Sequence, residues 1–304
     1  MLPGFYNCFM LYSIKHTTTY TYQETVPLCH NLAMLAPRDT PSQKCHSFTL
    51  DVSPVAGIID EYHDFFGNRV FYFVVEQEHE ILSVTTSSIV ERKTPEWKLA
   101  APNLQSWESV RDLLQSSTGQ YLQEKQFAFP DDITIATEAI QQYAAQSFTP
   151  LRPLLEAAGD LAQRIYTDFA YTAGFTTVST PLSVVMKERK GVCQDFAHLG
   201  IACMQAMGLA ARYISGYLET IPPPGVEKLT GSDASHAWFS VFIPEMGWVD
   251  FDPTNNKMPD EQYIVIGWGR NYFDIVPLRG VIMSSDQHQL SIAVDVKRLT
   301  GARE

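Results

Sequence analysis

Between residues 190 and 256 the chain places a cysteine, a histidine and two aspartates in settings that suit nucleophilic chemistry. Cys193 follows a Gly191-Val192 turn and stands at the predicted start of an amphipathic helix. There, unpaired backbone N–H groups and the positive end of the helix dipole favour thiolate over thiol. The same N–H groups, that of Cys193 among them, can stabilise an oxyanion on a carbonyl attacked by sulfur. His236 opens a predicted strand between Ala234, Ser235 and Ala237, small residues that leave room for a substrate, with Trp238 next on the same face. Asp250 and Asp252 share one side of a following strand, with Phe251 on the other. Asp252 is held extended by Pro253 at the strand end, where it is the better placed to orient an imidazole and fix its tautomer. Together these residues are the set needed for thiol-dependent acyl transfer.

Each also has a plainer reading. A cysteine is often a small buried hydrophobe, and Cys203, on the apolar stripe of the same helix, is read that way. His198 lies near the opposite side of that helix from Cys193 and is read as structural. Either aspartate could be a surface or capping carboxylate. Zinc would use the same side-chain types, but no CxxC or HxxxH pair occurs.

The elements that must position these groups follow from composition and periodicity. The chain has 304 residues, 45% of them hydrophobic and 18% charged, enough to bury a large core in one large or two ordinary domains. With a net charge of −12 and no Lys/Arg-rich run, neither nucleic acid nor an anionic membrane is expected as partner. The five cysteines (Cys8, Cys29, Cys45, Cys193 and Cys203) are odd in number and irregularly spaced, which argues against a disulfide framework and for a reducing compartment. No basic n-region and no apolar run of about 18–20 residues occurs, so neither a signal peptide nor a membrane helix is read, and a cytoplasmic protein is expected.

From about residue 12 to 91 the pattern is β, with predicted strands over 13–22, 47–52, 69–75 and 80–90 separated by Pro and Gly turns. Residues 92–130 form a looser connector with a short helix near 107–114. Helical periodicity begins at Ile133 and resumes after Pro153. A short helix over 182–189 precedes the cysteine helix, which Gly208 ends. Strands over 210–218, 236–243 and 248–251 follow, with a Pro/Gly loop over 221–231, and the tail from 263 to 296 returns to strand patterns. The predicted class is α+β: an antiparallel sheet packed on the cysteine helix, preceded by a β-sandwich-type module. The predicted division is a β-rich domain over 1–95, a helical connector over 96–152, and a catalytic core with C-terminal strands over 153–304.

Three segments carry a resemblance: Gly191-Val192-Cys193-Gln194-Asp195-Phe196-Ala197-His198, Ala234-Ser235-His236-Ala237-Trp238 and Trp248-Val249-Asp250-Phe251-Asp252-Pro253-Thr254-Asn255. In this order they resemble the motifs of the bacterial transglutaminase-like superfamily, often described as candidate cysteine proteases. Tyr20-Thr21-Tyr22, Leu35-Ala36-Pro37-Arg38 and Asp64-Phe65-Phe66-Gly67-Asn68 resemble the β-rich N-terminal domain of one bacterial branch. Residues 269–280 resemble that branch's C-terminal signature, with Asn271 where Asp is usual. The resemblance implies a papain-like core with Cys193 as nucleophile, His236 as general base and acid, and Asp252 as orienting carboxylate. Gln194, Tyr171, Trp238 and Arg270 are the candidate oxyanion or substrate contacts. The expected activity is cleavage of a peptide or amide bond through a thioester, with protein-glutamine transamidation or a non-catalytic binding scaffold as the alternatives. A protein or peptide substrate is expected, homo-oligomers are possible, and no metal or organic cofactor is implied. Some animal relatives use calcium, but no DxDxDG loop occurs here.

Overall fold

In the computed structural model, residues 9–95, 98, 104–220, 233–283 and 287–299 are described. Cys8 and the Pro/Gly loop expected over 221–231 lie outside them. The chain opens with six strands: β1 (Phe9–Val26), β2 (Cys29–Ala33), β3 (Gln43–Ser53), β4 (Ile58–His63), β5 (Arg69–Val75) and β6 (His79–Lys93). Helices α1 (Trp107–Ser116), α2 (Leu122–Lys125), α3 (Glu138–Ala145) and α4 (Leu154–Asp168) follow. Next come β7 (Ala170–Tyr171), α5 (Leu182–Glu188), β8 (Lys190–Gly191) and α6 (Cys193–Ala206). The remainder is β9 (Ala211–Leu218), β10 (Ala234–Ile243), β11 (Gly247–Phe251), β12 (Tyr263–Gly269), β13 (Leu278–Ile282) and β14 (His288–Leu299).

The architecture is α+β. Two four-stranded sheets, ordered β14-β1-β6-β3 and β13-β2-β5-β4, face one another across a core that includes Tyr22, Val26, Leu35, Phe73, Leu82 and Val84. This is the sandwich expected from the N-terminal strand patterns. The tail, however, does not belong with residues 153–262 as the sequence division had it. β13 pairs with β2 and β14 pairs with β1, so the last strands complete both sheets of the sandwich. The cause is burial. β1 turns Tyr12 and Ile14 inward, and Val294 and Val296 on β14 close the same cluster with Tyr217, Ile264 and Ile266 from the core sheet. One end of β1 thus lines the sandwich interior and the other end packs the sandwich onto the half that carries α6.

That half is an antiparallel sheet, β11-β10-β9-β12, with α6 lying across β10 and β9. The sequence suggested one buried stripe on α6, but residues 195–205 are all buried, because α3, α4 and α5 pack on its outer side. Gly200 is required at the sheet contact: a Cβ there would sit 2.6 Å from the Phe239 ring. α3 begins later than the periodicity suggested. Asp131 Oδ1 accepts the N–H groups of Ile133 and Thr134 at 2.9 and 3.1 Å, which holds the chain in a turn, and Thr137 caps the helix instead. Among the described residues no helix is long and apolar enough to cross a membrane.

Candidate active site

Cys193 is the first residue of α6, and the sequence before it dictates its placement. β8 runs parallel to β7, with Ala170 N–H donating to Arg189 O and Thr172 N–H to Gly191 O, both at 2.8 Å. Gly191 cannot be larger, since a Cβ would lie 2.9 Å from Cβ and Oδ2 of Asp195. The Asp195 carboxylate accepts from Val192 N–H at 2.8 Å and from Thr176 Oγ1 at 2.6 Å. It therefore caps the helix from inside and ties the 176 loop to it. Burial raises the Asp195 carboxyl above its ordinary value, and the two hydrogen bonds work in the other direction.

β10 delivers His236, whose side chain is 9% exposed, between this helix start and the end of β11. Its Nε2 lies 2.8 Å from Oδ2 of Asp252, a carboxylate with no exposed surface, and Cys193 is near enough to act on the ring's proton affinity. Burial by itself would lower the imidazole's proton affinity; the hydrogen bonds and charges of Asp252 and Cys193 override it and hold His236 well above its ordinary value. Burial likewise opposes ionisation of Asp252, yet its donors, His236 first among them, keep the carboxyl below the usual range. His236 and Asp252, 16 positions apart in sequence, are thus bonded directly, and Cys193 acts on the same imidazole.

Two partners of Asp252 were missed by sequence reasoning. Asn255 donates from Nδ2 to Asp252 Oδ2 at 2.7 Å and sits 3.3 Å from His236 Nε2, and Tyr263 donates its hydroxyl to the same Oδ2 at 2.8 Å. Oδ1 takes the backbone N–H groups of Thr254 and Asn255 at 2.8 and 3.3 Å. The Asp-Pro-Thr-Asn run was a usable signal for the turn around Asp252; nothing local pointed to Tyr263.

The other candidates divide. Tyr171, 59% exposed on β7, has its phenol raised by burial and then by the charge of Cys193. Tyr213, not nominated from sequence, is affected the same way and is fully buried on β9. Gln194 is half-buried at the second position of α6. Trp238 is a correction: it has no exposed surface, and its ring packs edge-on to Tyr263 at 5.4 Å behind the imidazole, so it cannot contact a substrate. Arg270 keeps 46% of its side chain exposed. Its guanidinium is paired with Asp274 at 3.1 Å, an i,i+4 interaction on the 3₁₀ turn Tyr272–Asp274. Asn271 is also structural here: its Nδ2 donates to Asp131 at 2.6 Å and its Oδ1 accepts from Phe273 N–H. An aspartate there would set two carboxylates against each other. His198 is buried, accepts the Tyr272 N–H at 3.0 Å and is lowered to about 4 by burial, in keeping with a structural role. Among the described residues no cluster of three metal-ligating side chains occurs.

Residues 12–91 match the family described as the bacterial transglutaminase-like N-terminal region, and residues 141–253 match the transglutaminase-like superfamily. An uncharacterized protein of Mycobacterium tuberculosis is 42% identical over 297 residues, covering 95% of this chain and 93% of the relative. The chain belongs to the transglutaminase-like superfamily. A Mycobacterium leprae protein is 29% identical over 94% of this transglutaminase-like chain and 98% of its own length. A solved structure of a candidate cysteine protease from Cytophaga hutchinsonii superposes with a TM-score of 0.76 over 98% of this chain and 93% of that one, at 22% identity, and so shares the fold.

Proposed function

We propose that this chain is a thiol hydrolase that cleaves a peptide or amide bond through a thioester on Cys193. The observation that carries the reading is the His236 imidazole, bonded by Nε2 to the buried Asp252 carboxylate and raised in proton affinity by it and by Cys193, the first residue of a helix. The Cys193 sulfur attacks the carbonyl carbon, and the C–S bond forms as the oxygen becomes an oxyanion. Backbone N–H groups at the start of α6 lie where that charge develops, with the Tyr171 hydroxyl as the candidate second donor. The His236 imidazolium then protonates the departing amine as the C–N bond breaks. The neutral imidazole next takes a proton from water, which attacks the thioester and releases the acid and the thiol. Asp252 holds the ring in one tautomer and orientation throughout.

Transamidation differs only in the last step, where an amine replaces water. It is favoured as a second reading by a segment 33% identical to a protein-glutamine gamma-glutamyltransferase of Pseudomonas aeruginosa, which spans 24% of this chain and 11% of that protein. Thiol chemistry of either kind requires Cys193 to stay reduced, so a cytoplasmic location is part of the proposal.

Iodoacetamide near neutral pH tests the nucleophile. Cys193 should be labelled far faster than Cys203, which is fully buried and whose thiol burial pushes up to about 12. Labelling of Cys193 no faster than Cys203, or than in denatured protein, removes the enzyme reading and leaves the scaffold. Mass spectrometry after exposure to cell peptides, with and without a primary amine, then reads the adduct on Cys193 and separates hydrolysis from transamidation, with Cys193→Ala as control.

A further inference from the structure

A cavity of about 710 Å3 does not touch the thiol: neither Cys193, His236 nor Asp252 lines it. It lies between the sandwich, the connector and the face of the core sheet that carries Arg212, Ile214 and Asp250, the alternate residues to those packed on α6. Three arginines line it, Arg38, Arg92 and Arg212, against two carboxylates, Glu124 and Asp250.

The three arginines are not equivalent. Arg38 donates from Nη1 to Phe66 O at 2.7 Å and Asn68 Oδ1 at 2.9 Å, which holds the 64–68 turn. Arg92 donates to Ser42 O and Asp260 O at 3.3 and 3.1 Å. Both are held by acceptors of the protein, although the Nε of Arg92 is also sealed without one. Arg212 is 8% exposed and makes no hydrogen bond to any described residue, and its Nε is sealed from solvent without an acceptor. Asp250 acts on it only through charge. Trp248 and Trp268 cover the guanidinium at 4.1 and 3.8 Å from their ring centroids. Stacked on two rings, the guanidinium donates in its own plane. The two Nη groups, which make no hydrogen bond and are not sealed as Nε is, are the donors that an acceptor in the cavity can reach. The remaining walls include Phe66, Phe127 and Ile214, so the space is amphipathic, with apolar sides around a cationic end. Its size is that of an ordinary small-molecule site.

We propose that this cavity binds a small organic anion, an aromatic or apolar body carrying one carboxylate or phosphate group whose oxygens pair with the Arg212 guanidinium. The planar fork suits the two oxygens of either group. The site is independent of the thiol chemistry and would stand if that reading failed.

Titration of the full-length chain with benzoate, phenyl phosphate, inorganic phosphate and the neutral benzamide tests it, read by tryptophan fluorescence and thermal shift. Expected is saturable binding of benzoate or phenyl phosphate with a rise in melting temperature, and at least about tenfold weaker binding of benzamide. Preference between the two anions decides carboxylate against phosphate. Arg212→Met should weaken the bound anion by about tenfold or more. Should that variant not fold cooperatively, Arg212→Lys, which keeps the charge but loses the fork, should weaken it in the same direction. Cys193 labelling should proceed at the wild-type rate in the variant used. Equal binding of benzoate and benzamide, undiminished binding by the Arg212 variants, or no anion bound below about 10 mM overturns the proposal. Inorganic phosphate binding as tightly as phenyl phosphate overturns the aromatic part of it.

Discussion

His236 Nε2 stands 2.8 Å from Asp252 Oδ2, and the carboxylate it meets has no exposed surface and four further donors around it, from Thr254, Asn255 (two) and Tyr263. A carboxylate so furnished stays ionised in spite of burial, and the imidazole beside it stays charged. The first three predictions follow from this pair and its supports.

Asp252→Asn keeps the shape and removes the charge. His236 should lose its elevated proton affinity, and with it the protonated imidazole that acts on Cys193. Turnover of a susceptible amide should fall by about 10²–10⁴-fold. The rate of Cys193 alkylation near neutral pH checks this without a known substrate, and an unchanged rate would refute it.

The pair also makes stability depend on pH. Burial opposes the charged imidazole, but Asp252 and Cys193 raise His236 to about 10 from an ordinary 6.5. A folded value above the unfolded one means a contribution that is complete below about pH 6.5 and lost as pH rises towards 10. The stability gap between wild type and Asp252→Asn in denaturant unfolding should therefore narrow from about pH 6 to about pH 10. A gap that widens over that interval contradicts the assignment. Asp252, with its carboxyl lowered, acts at the other end, and its contribution is lost only as pH falls through its depressed value.

Tyr263→Phe deletes one donor to Oδ2 while leaving the ring against Trp238. The expected cost is about 1–2 kcal/mol of stability, with a smaller loss of thiol reactivity than Asp252→Asn. Chemical denaturation and alkylation rates, measured on the same variant, check both.

Gly191→Ala would press a Cβ to 2.9 Å from Asp195, the residue that caps α6, and to 3.2 Å from the Phe196 ring. The helix start has to shift to relieve it. Destabilisation of about 1–3 kcal/mol is expected, together with slower labelling of Cys193. A wild-type melting temperature and labelling rate would show that the turn has slack.

Removal of residues 287–304 tests the role of β14. Asp233, three residues before His236, donates its N–H to Val294 O at 3.1 Å and accepts from Val296 N–H at 2.6 Å. Loss of β14 should expose Tyr12 and Ile14, release the start of β10 and abolish selective Cys193 labelling, with aggregation visible by light scattering. A truncated chain that is monomeric and labels normally would refute the coupling.

Much of the site was legible because it is local. The Gly191-Val192 turn, the helix it opens and the alternation around His236 and Asp252 are properties of short windows, and the residue types announced thiol chemistry. The strands over 69–75 and the helix after Pro153 were legible for the same reason, since period and punctuation act within a few residues. Trp238 was misjudged because strand alternation shows which residues share a face, but not what covers that face.

What alternation and spacing could not state was partnership. Pairing of β14 with β1 joins Val296 to Ile14 across the whole chain, and only the burial of Tyr12 and Ile14 selects it. Tyr263 reaches Asp252 because β12 lies beside β9 in the folded sheet. Arg212 gains its two tryptophans from β11 and β12, which are far apart in sequence. By itself the sequence determined which residues could react and the elements that carry them, because backbone preference and hydrophobic period are short-ranged. The tertiary structure decided which of them meet, because that choice belongs to the packing of distant apolar faces and to the sealing of polar groups between them.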